Sequence, residues 1–220
     1  MGPLTAPRAV LLAILAVLIL TFGSVVAPFS VDELHYSAVA LQVANGGAEV
    51  PGLEGLPRSS ELTVFRPGRM GLPHELDHLS PVAPPLYGVI AWPFLWMGWR
   101  GLVLLNVLAF LGTLALVAEG ARTLDPERGR IAARLAVVTL LAGGFLVEYA
   151  PAVWPHALSV FLVTGAVVAG IKSRLTDRPW LSAVSGVCLA LAAGVRFQSA
   201  FLLGLLGLAR AIPGVALNLV

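Results

Sequence analysis

Long uncharged apolar runs, parted by short charged loops, constrain this chain more than any other feature of its sequence. Residues 9–27 carry no charge, and 19 helical residues at about 1.5 Å each reach about 29 Å, close to the thickness of a bilayer's hydrocarbon core. Comparable runs recur through the second half of the chain. Charged residues make up only 12% of the sequence, where a soluble domain carries about 25%, and the mean hydropathy is +0.89. The expectation is an all-α integral membrane protein forming one multi-spanning domain over residues 1–220. A net charge of +2, scattered among loops, gives no basic stripe for nucleic acid. Cys188 is the single cysteine and lies in an apolar run, so it reads as a small buried hydrophobe with no disulfide partner in the chain.

Spans are expected at residues 9–27, 101–118, 131–147, 153–171, 180–195 and 197–212. The first is read as an uncleaved signal anchor, because its apolar core exceeds the 7–15 residues of a cleavable leader. Residues 28–100 form the one large loop, rich in Gly and Pro and holding most of the acids and histidines. Near its end, residues 86–97 are apolar but short, cut by Pro93 and studded with aromatics, which suits a juxtamembrane helix. Arg122, Arg128, Arg130 and Arg134 follow the second span, and Lys172, Arg174 and Arg178 follow the fourth, whereas the loop after the third has neither Lys nor Arg. The positive-inside rule makes those basic loops cytoplasmic. The 28–100 loop, Glu148 to His156, and Arg196 then share the opposite face. Arg196 parts two short apolar runs and is expected at a tight turn there.

The densest cluster of reactive groups is Ser30-Val31-Asp32-Glu33-Leu34-His35-Tyr36, directly after the first span. In a helix Asp32, His35 and Tyr36 stand at i, i+3 and i+4 and share a face. Ser30 and Glu33 fit a capping box, with Phe29 and Leu34 in the staple positions, which accounts for Glu33 by local structure. Asp32 gains only about 0.3–1 kcal/mol from the helix dipole, so local structure explains it least. Arg196 can bind a phosphate through two parallel hydrogen bonds; an Arg snorkelling from a helix end is the plainer reading. For Tyr36 and Tyr87 the plainer role is anchoring at the interface. Asp32 with His35, or with Glu148 and His156, offers ligands suited to a divalent metal ion, although the spacing defines no set.

Four stretches together resemble the N-terminal half of the GT-C glycosyltransferases. Asp32-Glu33-Leu34-His35-Tyr36 resembles the Asp-Glu-x-His-aromatic stretch of protein O-mannosyltransferases and the acidic motif of lipid A aminoarabinose transferases. Ser80-Pro81-Val82-Ala83-Pro84-Pro85-Leu86-Tyr87 is similar to the Pro-Pro-Leu-Tyr juxtamembrane helix of that group. Glu148-Tyr149-Ala150-Pro151 through Trp154-Pro155-His156-Ala157 resembles the loop before its fourth span, and Gly194-Val195-Arg196-Phe197-Gln198 its Arg-bearing turn. The resemblance implies transfer of a sugar from a polyprenyl-phosphate-linked donor to an acceptor hydroxyl on the extracytoplasmic face of a bacterial plasma membrane. Asp32 would then be the general base, supported by Glu33, while His35, Tyr36, Tyr87 and Arg196 bind substrate. The implied partners are the lipid-linked donor, membrane lipid, and an acceptor lipid, glycan or protein. Such enzymes have more spans than six and often a soluble C-terminal domain, which implies that residues 1–220 are incomplete at the C-terminus.

A transporter subunit and a noncatalytic membrane scaffold remain as alternatives, the first weakened by span interiors almost free of charge. With Cys188→Ser as background, Ser60→Cys is expected to react with a membrane-impermeant maleimide in intact cells. Labelling only after permeabilisation would reverse the orientation.

Overall fold

A computed structural model describes residues 6–23, 33, 36–37, 40, 85–143 and 145–201 of the chain. Every regular element among the described residues is helical. In order they are α1 (Ala6–Phe22), α2 (Pro85–Ala91), a 3-10 turn (Trp92–Met97), α3 (Trp99–Leu124), α4 (Gly129–Ala142), α5 (Phe145–Tyr149), α6 (Pro155–Thr176), α7 (Pro179–Val195) and a second 3-10 turn (Phe197–Ser199). Glu33, Tyr36, Ser37 and Ala40 are helical as well.

Two helices, α3 with 26 residues and α6 with 22, are long and apolar enough to cross a membrane. The 17-residue α7 and the apolar part of α1 are shorter. The expected span over residues 131–147 is described in two helical pieces, with residue 144 between them outside the described residues. α4 ends at Ala142, where the Gly143-Gly144 pair weakens the helix, and its 14 residues reach only about 21 Å. The chain resumes helically at Phe145 as α5. Most of the 28–84 segment and most of the expected sixth span, residues 197–212, lie outside the described residues.

The central helix is α3, which packs against α1, α4 and α6, while α6 also packs along α7. Its buried face carries Leu102, Val103, Leu105, Val107, Ala109 and Phe110. Across from it α6 buries Ala157, Leu158, Leu162 and Ala166, and α7 buries Leu189, Ala192 and Val195. Small residues on these faces let the backbones approach. The outer surface is apolar too: Ile131, Leu135 and Val138 of α4 and Val187 of α7 are exposed. Helices apolar on both inner and outer faces suit a lipid surround.

The two ends of the bundle differ in charge. At one, Glu119 of α3 is ion-paired with Lys172 of α6 and lies 3.6 Å from Arg122, among exposed Arg128, Arg130, Arg134, Arg174 and Arg178. At the other stand the end of α1, the start of α3, the segment before α6, and Arg196. There Arg100 completes α1: one guanidinium nitrogen donates to the carbonyls of Thr21 (3.2 Å) and Phe22 (3.0 Å), and the group sits 5.4 Å over the Phe22 ring. The last carbonyls of a helix lack intrahelical partners, and a cation there also complements the helix dipole.

Between the first 3-10 turn and α3, Gly98 has φ 59°, in the left-handed region where a side chain is strained. Three residues later Gly101 lies against the Phe94 carbonyl oxygen, which a Cβ would strike. Gly101→Ala is therefore expected to destabilise the bundle by about 1–3 kcal/mol. Gly186→Ala, which meets open space, should be neutral or up to about 1 kcal/mol stabilising. Thermal unfolding of both variants in detergent checks the contrast, and equal melting temperatures would refute it.

Candidate functional site

The end of the bundle that carries Arg196 is built around the non-helical segment joining α5 to α6. Trp154 precedes a proline, which excludes it from the α region, and it is extended at φ −118°, ψ 144°. Pro155 then opens α6 at a position where its missing N–H costs nothing. Although non-helical, the segment is packed inside, with Ala150 and Val153 fully buried. Its peptide groups must find partners there.

Side chains from two distant elements supply them. Asn106 of α3 donates from Nδ2 to the Ala152 carbonyl (2.5 Å), and the Val153 N–H donates to Oε1 of Glu33 (3.0 Å). Both bonds fall on one peptide unit. The orientation of the amide follows from chemistry, since a carbonyl only accepts and the NH₂ group must face it.

Glu33 is 2% exposed, so its carboxylate is an internal group. It shares a helical face with Tyr36, Ser37 and Ala40, at i, i+3, i+4 and i+7, and the Ser37 hydroxyl donates to the Glu33 carbonyl (2.7 Å). Tyr36 meets Tyr87 of α2 edge to face, ring centroids 5.5 Å apart. Tyr87 is wholly buried, and burial drives its phenol above the ordinary range, the Asn106 side chain offsetting this in part. The two groups lie close but miss hydrogen-bond geometry: Tyr87 Oη and Asn106 Oδ1 are both unpartnered.

On the far side of the segment, His156 stacks on Tyr149 at 4.5 Å and 5°, and Trp154 leans against both rings. The buried Nδ1 of His156 has no hydrogen-bond partner. Arg196 stands at the same end of the bundle. That arginine sits in the turn the sequence predicts, where α7 ends: its N–H donates to the Ala192 carbonyl (2.9 Å), and its carbonyl accepts from Ser199 (3.0 Å). A buried hydrogen bond between the hydroxyls of Ser159 and Ser199 (2.7 Å) fastens this turn to α6.

Of the residues singled out in the sequence, Glu33, Tyr36, Tyr87, His156 and Arg196 thus stand at one end of the bundle. Asp32 and His35 lie outside the described residues. Glu148 is exposed on α5, and among the described residues no three His, Cys, Asp or Glu converge, so they assemble no metal site. Glu33, which a capping box explains locally, makes a hydrogen bond 120 residues along the chain. Asn106 was missed by the sequence reading, yet it left a signal: it is the only amide in the apolar run 101–118, where a polar side chain needs a reason.

Comparisons with protein families, with curated proteins and with solved structures returned no match for this chain.

Because the Tyr87 hydroxyl has no partner while its ring fills the core, Tyr87→Phe should change stability by less than about 1 kcal/mol. Tyr87→Ala should cost about 3–5 kcal/mol. Denaturant or thermal unfolding of both variants checks this, and a large loss in Tyr87→Phe would mean that the hydroxyl is bonded.

Proposed function

We propose that this protein is a membrane glycosyltransferase of the GT-C kind. It takes a sugar from a polyprenyl-phosphate-linked donor and passes it to an acceptor hydroxyl at the Arg196 end of the bundle, on the extracytoplasmic side of a bacterial plasma membrane. The observation that carries the reading is the convergence of Glu33, Tyr36 and Tyr87 with the loop of His156 and with Arg196. The stretches that carry the sequence resemblance, far apart in the chain, supply all of these groups.

The roles are those the resemblance implies, and the chemistry is consistent with them. A hydroxyl is a poor nucleophile until a positioned base takes its proton, typically worth 10²–10⁴ in rate, and Asp32 is assigned that task. Arg196 binds the donor's phosphate, as a planar guanidinium can through paired hydrogen bonds, and balances the charge that the leaving phosphate gains. The imidazole of His156, stacked on Tyr149, belongs to the same end of the bundle. An apolar outer surface suits a substrate whose carrier is a long hydrocarbon embedded in lipid.

A transporter subunit is less well supported. Residues 101–118 of α3 and 157–171 of α6 carry no charged side chain, and transport pathways place ionisable groups near the midplane.

Incorporation of labelled sugar from a lipid-linked donor, by protein reconstituted in liposomes, tests the proposal. Asp32→Asn keeps size but cannot act as a base, and turnover should fall by about 10² or more while donor binding persists. Arg196→Gln should weaken donor binding first. Full turnover in Asp32→Asn would remove it as base, and neither binding nor transfer by the unsubstituted protein would favour a noncatalytic scaffold.

A further inference from the structure

The Ala152–Val153 peptide is held in a way that packing does not require. A buried, non-helical peptide group needs two partners, which nearby backbone or a water could provide. Instead Glu33 and Asn106, 2% and 0% exposed, reach it from opposite sides of the chain's order, one taking its N–H and the other its C=O. Holding both polar ends of one amide fixes the rotation of that plane as well as its position. The amide lies one residue before Trp154 and three before His156, and the segment between is stiffened by Pro155. The direction in which the Trp154 and His156 rings leave the backbone therefore depends on the clamp.

We propose that Glu33 and Asn106 are positioning residues which, through the Ala152–Val153 peptide, set where Trp154 and His156 stand beside Arg196. The proposal deepens the transferase reading and rests on it for what is being positioned. Glu33 acts here as an acceptor of fixed length, neither as base nor as metal ligand. A single amide carries both bonds, so loss of either partner frees the plane and the second loss adds little.

The test is amide exchange by mass spectrometry over residues 150–156 of the reconstituted protein, together with KM and kcat in the transfer assay. Glu33→Ala and Asn106→Ala should each speed exchange of this segment by about tenfold, and the double variant should be no faster than the faster single one. Glu33→Gln, whose amide oxygen still accepts from the Val153 N–H, should keep the protection of the unsubstituted protein. Should the alanine variants fail to fold, Glu33→Gln against Glu33→Asp decides the matter. Gln keeps the length and loses the charge, Asp does the reverse, and the clamp expects Gln protected and Asp labile. The opposite order, exchange effects that multiply in the double variant, or no change in residues 150–156 with any Glu33 substitution would overturn the proposal. The last is the result expected if Glu33 only caps its own helix. The expected exchange pattern with no transfer by the unsubstituted protein would instead sink the transferase reading and leave the clamp standing.

Discussion

A peptide group removed from water must be paired within the protein, and between α5 and α6 the Ala152–Val153 peptide finds its partners on other elements. Proline at 151 and 155 denies it a helix, and burial of Ala150 and Val153 denies it solvent. Leaving one buried backbone group unmet costs about 1–3 kcal/mol, comparable with the effect of an ordinary destabilising mutation. The bonds from Glu33 and Asn106 meet that need, and in doing so they tie the helical turn after α1 and the central helix α3 to the start of α6. The Tyr36–Tyr87 contact and the buried cluster around Ala40, Val103 and Ala157 then close over these bonds.

Where the sequence was legible, one physical cause dominated. Residues 180–195 were expected to be helical and α7 runs Pro179–Val195, because a proline suited to a first turn and an arginine in the following turn mark its ends. The apolar run 101–118 located α3 but not its length. The helix continues to Leu124 through polar residues, held there by the ion pair of Glu119 with Lys172. Hydropathy marks what lipid tolerates and is blind to a helix that carries on into a charged turn. It also gives no sign that α4 ends at Ala142, since the glycine that follows is apolar enough to pass unnoticed in a span yet among the poorest helix formers.

The candidate site was legible as a set of residues and not as an arrangement. Charge asymmetry assigned Glu33, His156 and Arg196 to one membrane face, and the structure gathers them at one end of the bundle. No periodicity could say that the Glu33 carboxylate would turn to a backbone amide 120 residues on, because such a bond depends on tertiary packing. The same holds for Asn106. Its identity was conspicuous in an apolar run, while its partner is a carbonyl, a group that every residue possesses.

The cap that Arg100 places on α1 has a consequence for the order in which the protein is made. The carbonyls of Thr21 and Phe22 are completed by a side chain 79 and 78 residues later. At about 5–20 residues per second, a ribosome needs roughly 4–16 s to cover that distance. Throughout that interval the end of α1 lacks the hydrogen bonds that Arg100 supplies. Only when the start of α3 emerges can the helix end be drawn into the protein. The first loop is thus synthesised in full before its two flanking helices are joined.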